Sequence, residues 1–389
     1  MAKKLLFVHD GPRWKDNKGN QYGNSSDIDI FQRYKYLADE VSFCMRVFLT
    51  DKLENLTDLN EQGLFINEIA AFNRPTKLHN FFKSRQKIQT YVDQADLIIV
   101  RLPSTIGSIA YWAAKRNNIP VLVEVVACPF DSLSNHSLLG KIYARFSVKK
   151  LRRIMLDSKF SIYVTSHFLQ SRYPTNGSSL AISDVVLSKS LDKNQKSNSY
   201  SQIEVKNRTW IITTAGVVNL SYKGHYYVLK AISILIERGY SFVYNIVGGG
   251  DNSSLKVIVG KLQINKYVRF LGKIPHKDIF KVLGKTDIYI QPSETEGMPR
   301  ALIEAMSCGC ACLGSTAGGI PELLNSDFLF ESKNVNDLVI KIKKITSSNY
   351  ILVDESQRNF EKAKQFKFEV LESKRKSFYD KFINSINEK

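Results

Sequence analysis

The sequence predicts two α/β domains, each a parallel sheet covered by helices on both faces. Three observations predict it. Short β-branched and aromatic runs alternate with helical patterns along the chain, as parallel sheets with crossover helices require. The alternation breaks once, at the polar stretch Lys189–Lys206, and then restarts. The chain has 389 residues, 43% of them hydrophobic, which suffices for two cores. The expected organisation is a first domain at 1–190, a linker at 191–206, a second domain at 207–367 and a final helix at 368–389.

The first element sits at the N-terminus, Met1–Asp10, which pairs a basic start with a short apolar run. A signal peptide needs a longer apolar stretch than the one that stops at His9-Asp10, so Leu5–His9 reads as a strand. Leu97–Leu102, Val121–Val126 and Phe160–Thr165 come next as strands. Ile28–Ala38, Ser104–Asn117 and Ser137–Leu156 are the helices between. Asp27-Ile-Asp29 has the form of a metal-binding Asp-x-Asp, but it directly precedes a helix, where Asp is a common N-cap. No metal is expected, and no cofactor. After the linker, strands are expected at Trp210–Ala215, Phe242–Val247, Val268–Leu271, Ile288–Gln291 and Ala311–Gly314. His225–Arg238, Ser254–Gln263, Lys277–Gly284 and Arg300–Ser307 are the intervening helices. No stretch reaches the roughly 20 apolar residues that span a bilayer.

The five cysteines include Cys308, Cys310 and Cys312. Zinc sites use wider gaps and a second ligand pair, and an odd count argues against a disulfide framework. They read as small buried residues in a reducing cytosol. None of the six histidines has a ligand spacing, and none is assigned a catalytic role. The formal charge of +18 is uneven: residues 1–100 carry +1, residues 101–190 carry +8 and the remainder +9. Such a balance favours anionic partners without choosing among them, and no nucleic-acid motif accompanies it. Much of the middle segment's charge lies in Lys141–Met155, an amphipathic run. Lys149, Lys150, Arg152 and Arg153 supply its charge, and Phe146, Val148 and Ile154 its apolar side. It reads either as an ordinary packed helix with a solvated charged face or as a helix that docks on an anionic membrane surface.

The most informative stretch is Ile288–Gly309: strand, loop, helix. Pro299 is placed at or near the first helical position and Gly309 at the C-cap. A helix N-terminus offers free N–H groups and a partial positive charge, so it binds an anion without a metal. Glu296 stands just before that terminus and Glu304 eight residues later, on the helix.

Glu296 and Glu304 match the Glu-x7-Glu motif of the retaining glycosyltransferases of family four. Ile246-Val-Gly-Gly-Gly-Asp251 resembles that family's glycine-rich turn, and Val268–Gly272 with Pro275-His276 its next strand and loop. Gly309–Cys312 and Gly318–Glu322 resemble the segments after its Glu helix. Tyr222-Lys223-Gly224 matches its phosphate lysine. The resemblance runs from about Gly216 to Glu322; over the first half it lies mainly in strand order. It implies the GT-B fold, two doubly wound Rossmann-like domains facing a central cleft, with the last helix crossing back to the first domain.

It also implies roles. Glu296 would bind hydroxyls of the donor sugar, and the N–H groups of Gly297, Met298, Arg300 and Ala301 would hold sugar and diphosphate. Lys223 would pair with the leaving diphosphate and Glu304 with the ribose. Gly248 and Gly249 belong to the donor loop, and Lys273 and Ile274 lie where the family contacts the base. Gly11, after the first strand, would let the backbone approach the donor. The implied enzyme is a cytoplasmic, peripheral hexosyltransferase that moves a sugar from a nucleotide-sugar, expected to be a UDP-sugar, to a lipid-linked or other glycan acceptor of surface polysaccharide. The rivals are a soluble acceptor and a non-catalytic partner subunit; the intact Glu pair argues against the latter. Two departures stand out: no arginine comes between Gly216 and Lys223, and no histidine stands in the stretch Glu124–Pro129.

Overall fold

The computed structural model describes residues 3–54, 56–72, 75–134, 138–187, 195–202, 204–205 and 208–387. It divides into two compact units: one holds Met1–Ile182 and Ser373–Lys389, the other Ser183–Glu372.

Unit 1 contains strands β1 (Lys4–Lys15), β2 (Gln21–Gly23), β3 (Glu40–Leu49), β4 (Thr57–Asp58), β5 (Ile66–Ile69), β6 (Leu97–Leu102), β7 (Val121–Val125), β8 (Phe160–Tyr163) and β9 (Ser178–Ala181). Its helices are α1 (Ser25–Tyr34), α2 (Phe81–Asp93), α3 (Thr105–Arg116), α4 (Pro129–Ser134), α5 (Leu138–Asp157) and α6 (Phe168–Arg172). The main path of the nine-stranded sheet is β4-β2-β1-β6-β7-β8-β9, with β3 on β1 and β5 on β3. β1 is longer than its apolar run. It passes through a bulge between Val8 and Pro12 and goes on pairing with β3 to Lys15 and Leu49. Gly11 therefore lies inside the strand, not after it. β3, β5, β9 and α2 have no counterpart among the elements read from the sequence. β3 mixes Ser42 and Arg46 among apolar residues, so neither strict alternation nor a continuous apolar run marks it.

Unit 2 is the more regular. Helix α7 (Gln195–Ser201) precedes strands β10 (Thr209–Ala215), β11 (Ser241–Val247), β12 (Val268–Gly272), β13 (Ile288–Gln291), β14 (Ala311–Ser315) and β15 (Leu329–Phe330). Between and after them run α8 (His225–Glu237), α9 (Ser253–Lys261), α10 (His276–Lys285), α11 (Arg300–Ser307), α12 (Val335–Ile345) and α13 (Asn349–Ala363). The sheet is parallel, in the order β12-β11-β10-β13-β14-β15. Alternate strand residues feed opposite faces. Ile288, Ile290, Ala311 and Leu313 join Val228, Leu229, Leu338 and Ile342 in one core. Tyr289 and Cys312 join Leu302, Ile303, Met306 and Phe360 in the other. Helices thus cover both faces.

The stretch read as a helix-poor linker is partly helical. Within α7, Tyr200 is buried in the unit 2 core and Lys196 donates to the Thr286 carbonyl. Its polar sequence hides it because two long side chains do the packing. The rest of that stretch, at 189–194, 203 and 206, lies outside the described residues, as does Ser137. The final helix, α14 (Phe368–Asn387), places Phe378 and Phe382 against Phe160 of unit 1, and Tyr36 donates to Asp380 at 2.6 Å. All five cysteines are free thiols, four of them buried. Among the described residues, no helix is long and apolar enough to cross a membrane.

Candidate active site

The candidate site is built on α11 and the loops at the carboxyl ends of the unit 2 strands, where open parallel sheets bind ligands. Pro299 is the N-cap of α11 and Arg300 its first residue, one position from the expected register. No side chain caps this end. Ala301 to Met306 propagate the helix, burying Leu302, Ile303, Ala305 and Met306. Gly309, at φ 69°, closes it: the N–H of Gly309 reaches the Met306 carbonyl and that of Cys310 the Ala305 carbonyl, a Schellman stop.

Glu296 lies in the loop between β13 and α11. Its Oε1 accepts from Lys223 Nζ at 2.6 Å, Ser293 Oγ at 2.9 Å and Gln291 Nε2 at 3.3 Å. Tyr289 donates to Gln291 Oε1 at 2.9 Å, which fixes the amide. Strand alternation puts Tyr289 and Gln291 on one side of β13, and so makes this network. The sequence alone assigns Tyr289, Gln291 and Ser293 no role.

Lys223 ends a single 3₁₀ turn, Ser221–Lys223, stopped by Gly224 at φ 75°. A Cβ at Gly224 would meet the Pro292 carbonyl oxygen at 2.0 Å, so only glycine lets the two loops approach. The N–H of Glu294 bonds the Tyr222 carbonyl at 2.7 Å and locks the approach. Gly318, at φ 58°, does the same on the other side, where a Cβ would lie 1.8 Å from the Glu296 carbonyl oxygen. His225, the next residue after Gly224, is held by burial at a pKa of about 4 and stays neutral near neutrality.

Glu304 faces away from solvent on α11. Its Oε1 lies 2.7 Å from His276 Nε2. Among the described residues, Oε2 of Glu296 and Oε2 of Glu304 have no hydrogen-bond partner. His276, given no role from the sequence, is thus a site residue; its place after Pro275 was the available signal. The Gly248 N–H reaches the Gly272 carbonyl at 2.9 Å and the Gly249 carbonyl accepts from Val218 N–H at 3.0 Å, joining the ends of β10, β11 and β12. Lys273 stands beside Gly249 and is exposed, while Ile274 packs on the core under α11. Lys223, Gly249, Lys273, Glu296 and Glu304 therefore belong to one edge of unit 2.

The remaining candidates lie in unit 1. A Cβ at Gly11 would meet Arg13, His9 and Met45 side chains at 3.0–3.2 Å, so the space over it is filled by the protein itself. Asp27 is not an N-cap. Asn24 holds that position, and Asp27, one turn in, accepts from the Asn24 N–H at 2.8 Å and pairs with Arg13. Among the described residues, no three His, Cys, Asp or Glu side chains gather as a metal site.

The basic run of α5 divides. Lys149, Arg152 and Arg153 are exposed and, with Trp112, Leu156 and Asp157, line a shallow concavity of about 600 Å³. Arg153 lies 5.1 Å over the Trp112 ring. Lys150 is exposed as well but does not line that concavity; the surrounding protein lowers its pKa, and the Asp10 carboxylate raises it. Ile154, expected on the surface face, is fully buried, so that side of α5 faces the interior of unit 1. Among the described residues, Tyr143, Phe146 and Leu156 are the exposed large apolar ones there.

Comparisons with known proteins fit this edge. A family model described as glycosyl transferases group 1 matches residues 196–366. Protein CapJ of Staphylococcus aureus is 32% identical over 354 residues, covering 89% of this chain and 88% of that protein. The chain belongs to the group 1, family-four glycosyltransferases. The enzyme also matches the amylovoran biosynthesis glycosyltransferase AmsK of Erwinia amylovora, 36% identical over 109 residues, 26% of this chain and 27% of that one. Among solved structures it resembles Anabaena HepE in complex with UDP, with a TM-score of 0.67 at 15% identity over the whole of both chains. WaaG, a glycosyltransferase involved in lipopolysaccharide biosynthesis, gives 0.64 at 12% identity over 96% of this chain and 99% of that one. At such identities these structures speak to the fold, which is GT-B.

Proposed function

We propose that the enzyme is a retaining glycosyltransferase that moves a sugar from a UDP-sugar to a membrane-associated glycan acceptor in surface-polysaccharide assembly. One observation carries this reading: Glu296 stands just before the uncapped N-terminus of α11 and Glu304 within the helix, with Lys223 held against Glu296 at 2.6 Å. The sugar's hydroxyls meet Glu296. Its diphosphate lies on the N–H groups of Gly297, Met298, Arg300 and Ala301, with Lys223 beside it. The ribose meets Glu304, and the base Lys273 and Ile274.

Breaking the bond from the anomeric carbon to the diphosphate leaves negative charge on the diphosphate and oxocarbenium character on the sugar. Lys223 and the helix N-terminus stabilise that charge without a metal. The acceptor hydroxyl attacks on the face the diphosphate leaves. A new C–O bond forms, and the hydroxyl proton passes to a diphosphate oxygen. HepE's structure with UDP and AmsK's part in amylovoran biosynthesis support the donor and the product class. The exposed Lys149, Arg152 and Arg153 beside Trp112 support an anionic membrane surface as the place of work.

The test is thermal. UDP and UDP-sugars raise the melting temperature equally with and without EDTA, and one UDP-sugar is slowly hydrolysed. Stabilisation that disappears with the chelator overturns the metal-free site, and a preference for another nucleotide overturns the donor.

A further inference from the structure

We infer that His276 positions Glu304 for nucleoside recognition, so that selectivity for the ribose hydroxyls depends on a side chain outside the Glu-x7-Glu motif. The inference rests on the proposed donor site, in which Glu304 meets the ribose. Nε2 of His276 lies 2.7 Å from Oε1 of Glu304. The two side chains have opposite surroundings: Glu304 is 6% exposed and His276 is 56% exposed. A carboxylate so far from water needs a donor, because an ionised group buried without one is strongly disfavoured. Among the described residues His276 is that donor, and it reaches one oxygen only. The carboxylate is pinned at Oε1 and presents Oε2.

The imidazole is itself held. It is the first residue of α10, directly after Pro275, whose ring fixes the chain at φ −55°. One turn on, Phe280 meets the His276 ring edge-to-face at 5.7 Å and 77°. Lys273 and Ile274 stand just before it. The loop from β12 to α10 would thus carry both the base contacts and the residue that orients the ribose carboxylate. A hydrogen bond pinning one oxygen removes rotamer freedom that a ribose would otherwise have to remove on binding.

The experiment compares affinities for UDP and 2′,3′-dideoxy-UDP by calorimetry. The wild-type enzyme prefers UDP, and Glu304→Ala abolishes the preference. His276→Ala lowers it about tenfold with an unchanged melting temperature, the scale of one hydrogen bond to a charged group. His276→Gln, which keeps a donor, retains part of it. A preference unchanged in His276→Ala but lost in Glu304→Ala overturns the inference alone. A preference that survives Glu304→Ala overturns the ribose assignment beneath it. Should the Ala variant fail to fold, the Gln and Asn variants decide by the same ratio. A Gln variant as unselective as Glu304→Ala overturns the donor role.

Discussion

The two units share one architecture and treat charge in opposite ways. In unit 1 the charged groups near the sheet close on one another. Arg101 donates to Glu124 at 2.8 Å and Tyr34 to its other oxygen at 2.7 Å, while Arg13 pairs with Asp27 and Arg46 with Asp10. His9, lowered to about 4 by burial, adds no charge near neutrality. At the unit 2 edge, Glu296 and Glu304 are each tied at one oxygen and open at the other. Carboxylates with both oxygens paired fix a fold; carboxylates with an oxygen left over fix their own geometry and still have something to offer a ligand.

The sharpest way to break that contrast is to truncate one carboxylate from each set. Glu296→Ala lowers kcat on the order of 10³-fold, the scale of losing a positioned polar group beside the reacting bond, with little change in melting temperature. Steady-state kinetics with a UDP-sugar reads it; a variant within a few-fold of wild type removes Glu296 from the chemistry. Glu124→Ala does the reverse. It takes the shared carboxylate from Arg101 and from buried Tyr34, so denaturant melts show a loss of about 3 kcal/mol, while UDP affinity at the unit 2 edge is unchanged. If Glu124→Ala weakens UDP binding without destabilising the fold, the closed network is functional and the contrast fails.

Legibility divides along the same line. Unit 2's parallel strands are short runs rich in β-branched and aromatic residues, and Ile288–Gln291 and Arg300–Ser307 stand where the pattern puts them. Glu296, Glu304 and Lys223 are legible because their spacing is a motif. Gln291, Ser293 and His276 are not, since their roles exist only once β13, α10 and α11 are placed together. In unit 1, β1 continues to Lys15 because β3 pairs with it, and no local pattern announces a partner that far away in sequence. Ile154 is misread from sequence because a helical face is decided by its packing partner, and Lys141–Met155 is basic on more than one side.

A smaller effect tests the exposed charge of unit 1. Replacing Lys149, Arg152 and Arg153 together with Ser removes on the order of 1 kcal/mol per residue of attraction to an anionic surface. Co-sedimentation with phosphatidylglycerol vesicles falls, most at low salt, and hydrolysis of the donor in solution is unaltered. A wild-type enzyme that ignores those vesicles at low salt makes this face ordinary solvated charge and points to a soluble acceptor.

The last effect concerns a carboxyl that fits neither pattern. Glu355 of α13 is fully buried, and neither oxygen has a partner among the described residues. Burial pushes its pKa up to about 7; Arg358 and Lys344 pull it down, and Asp354 and Asp327 raise it. The ordinary value is 4.5. Between the two, the folded chain keeps a proton that the unfolded chain has released, so stability falls as pH rises from about 4.5 to about 7 and stays low above. Glu355→Gln reproduces the protonated group at every pH. Below about pH 4 its melting temperature matches wild type, and at pH 8 it is higher by several °C, the shift that about 3 kcal/mol gives a unit of this size. A Gln variant that melts below wild type at pH 8 means the native carboxylate is ionised and paired. Unit 2 would then close its interior charges as unit 1 does, and only Glu296 and Glu304 would remain open.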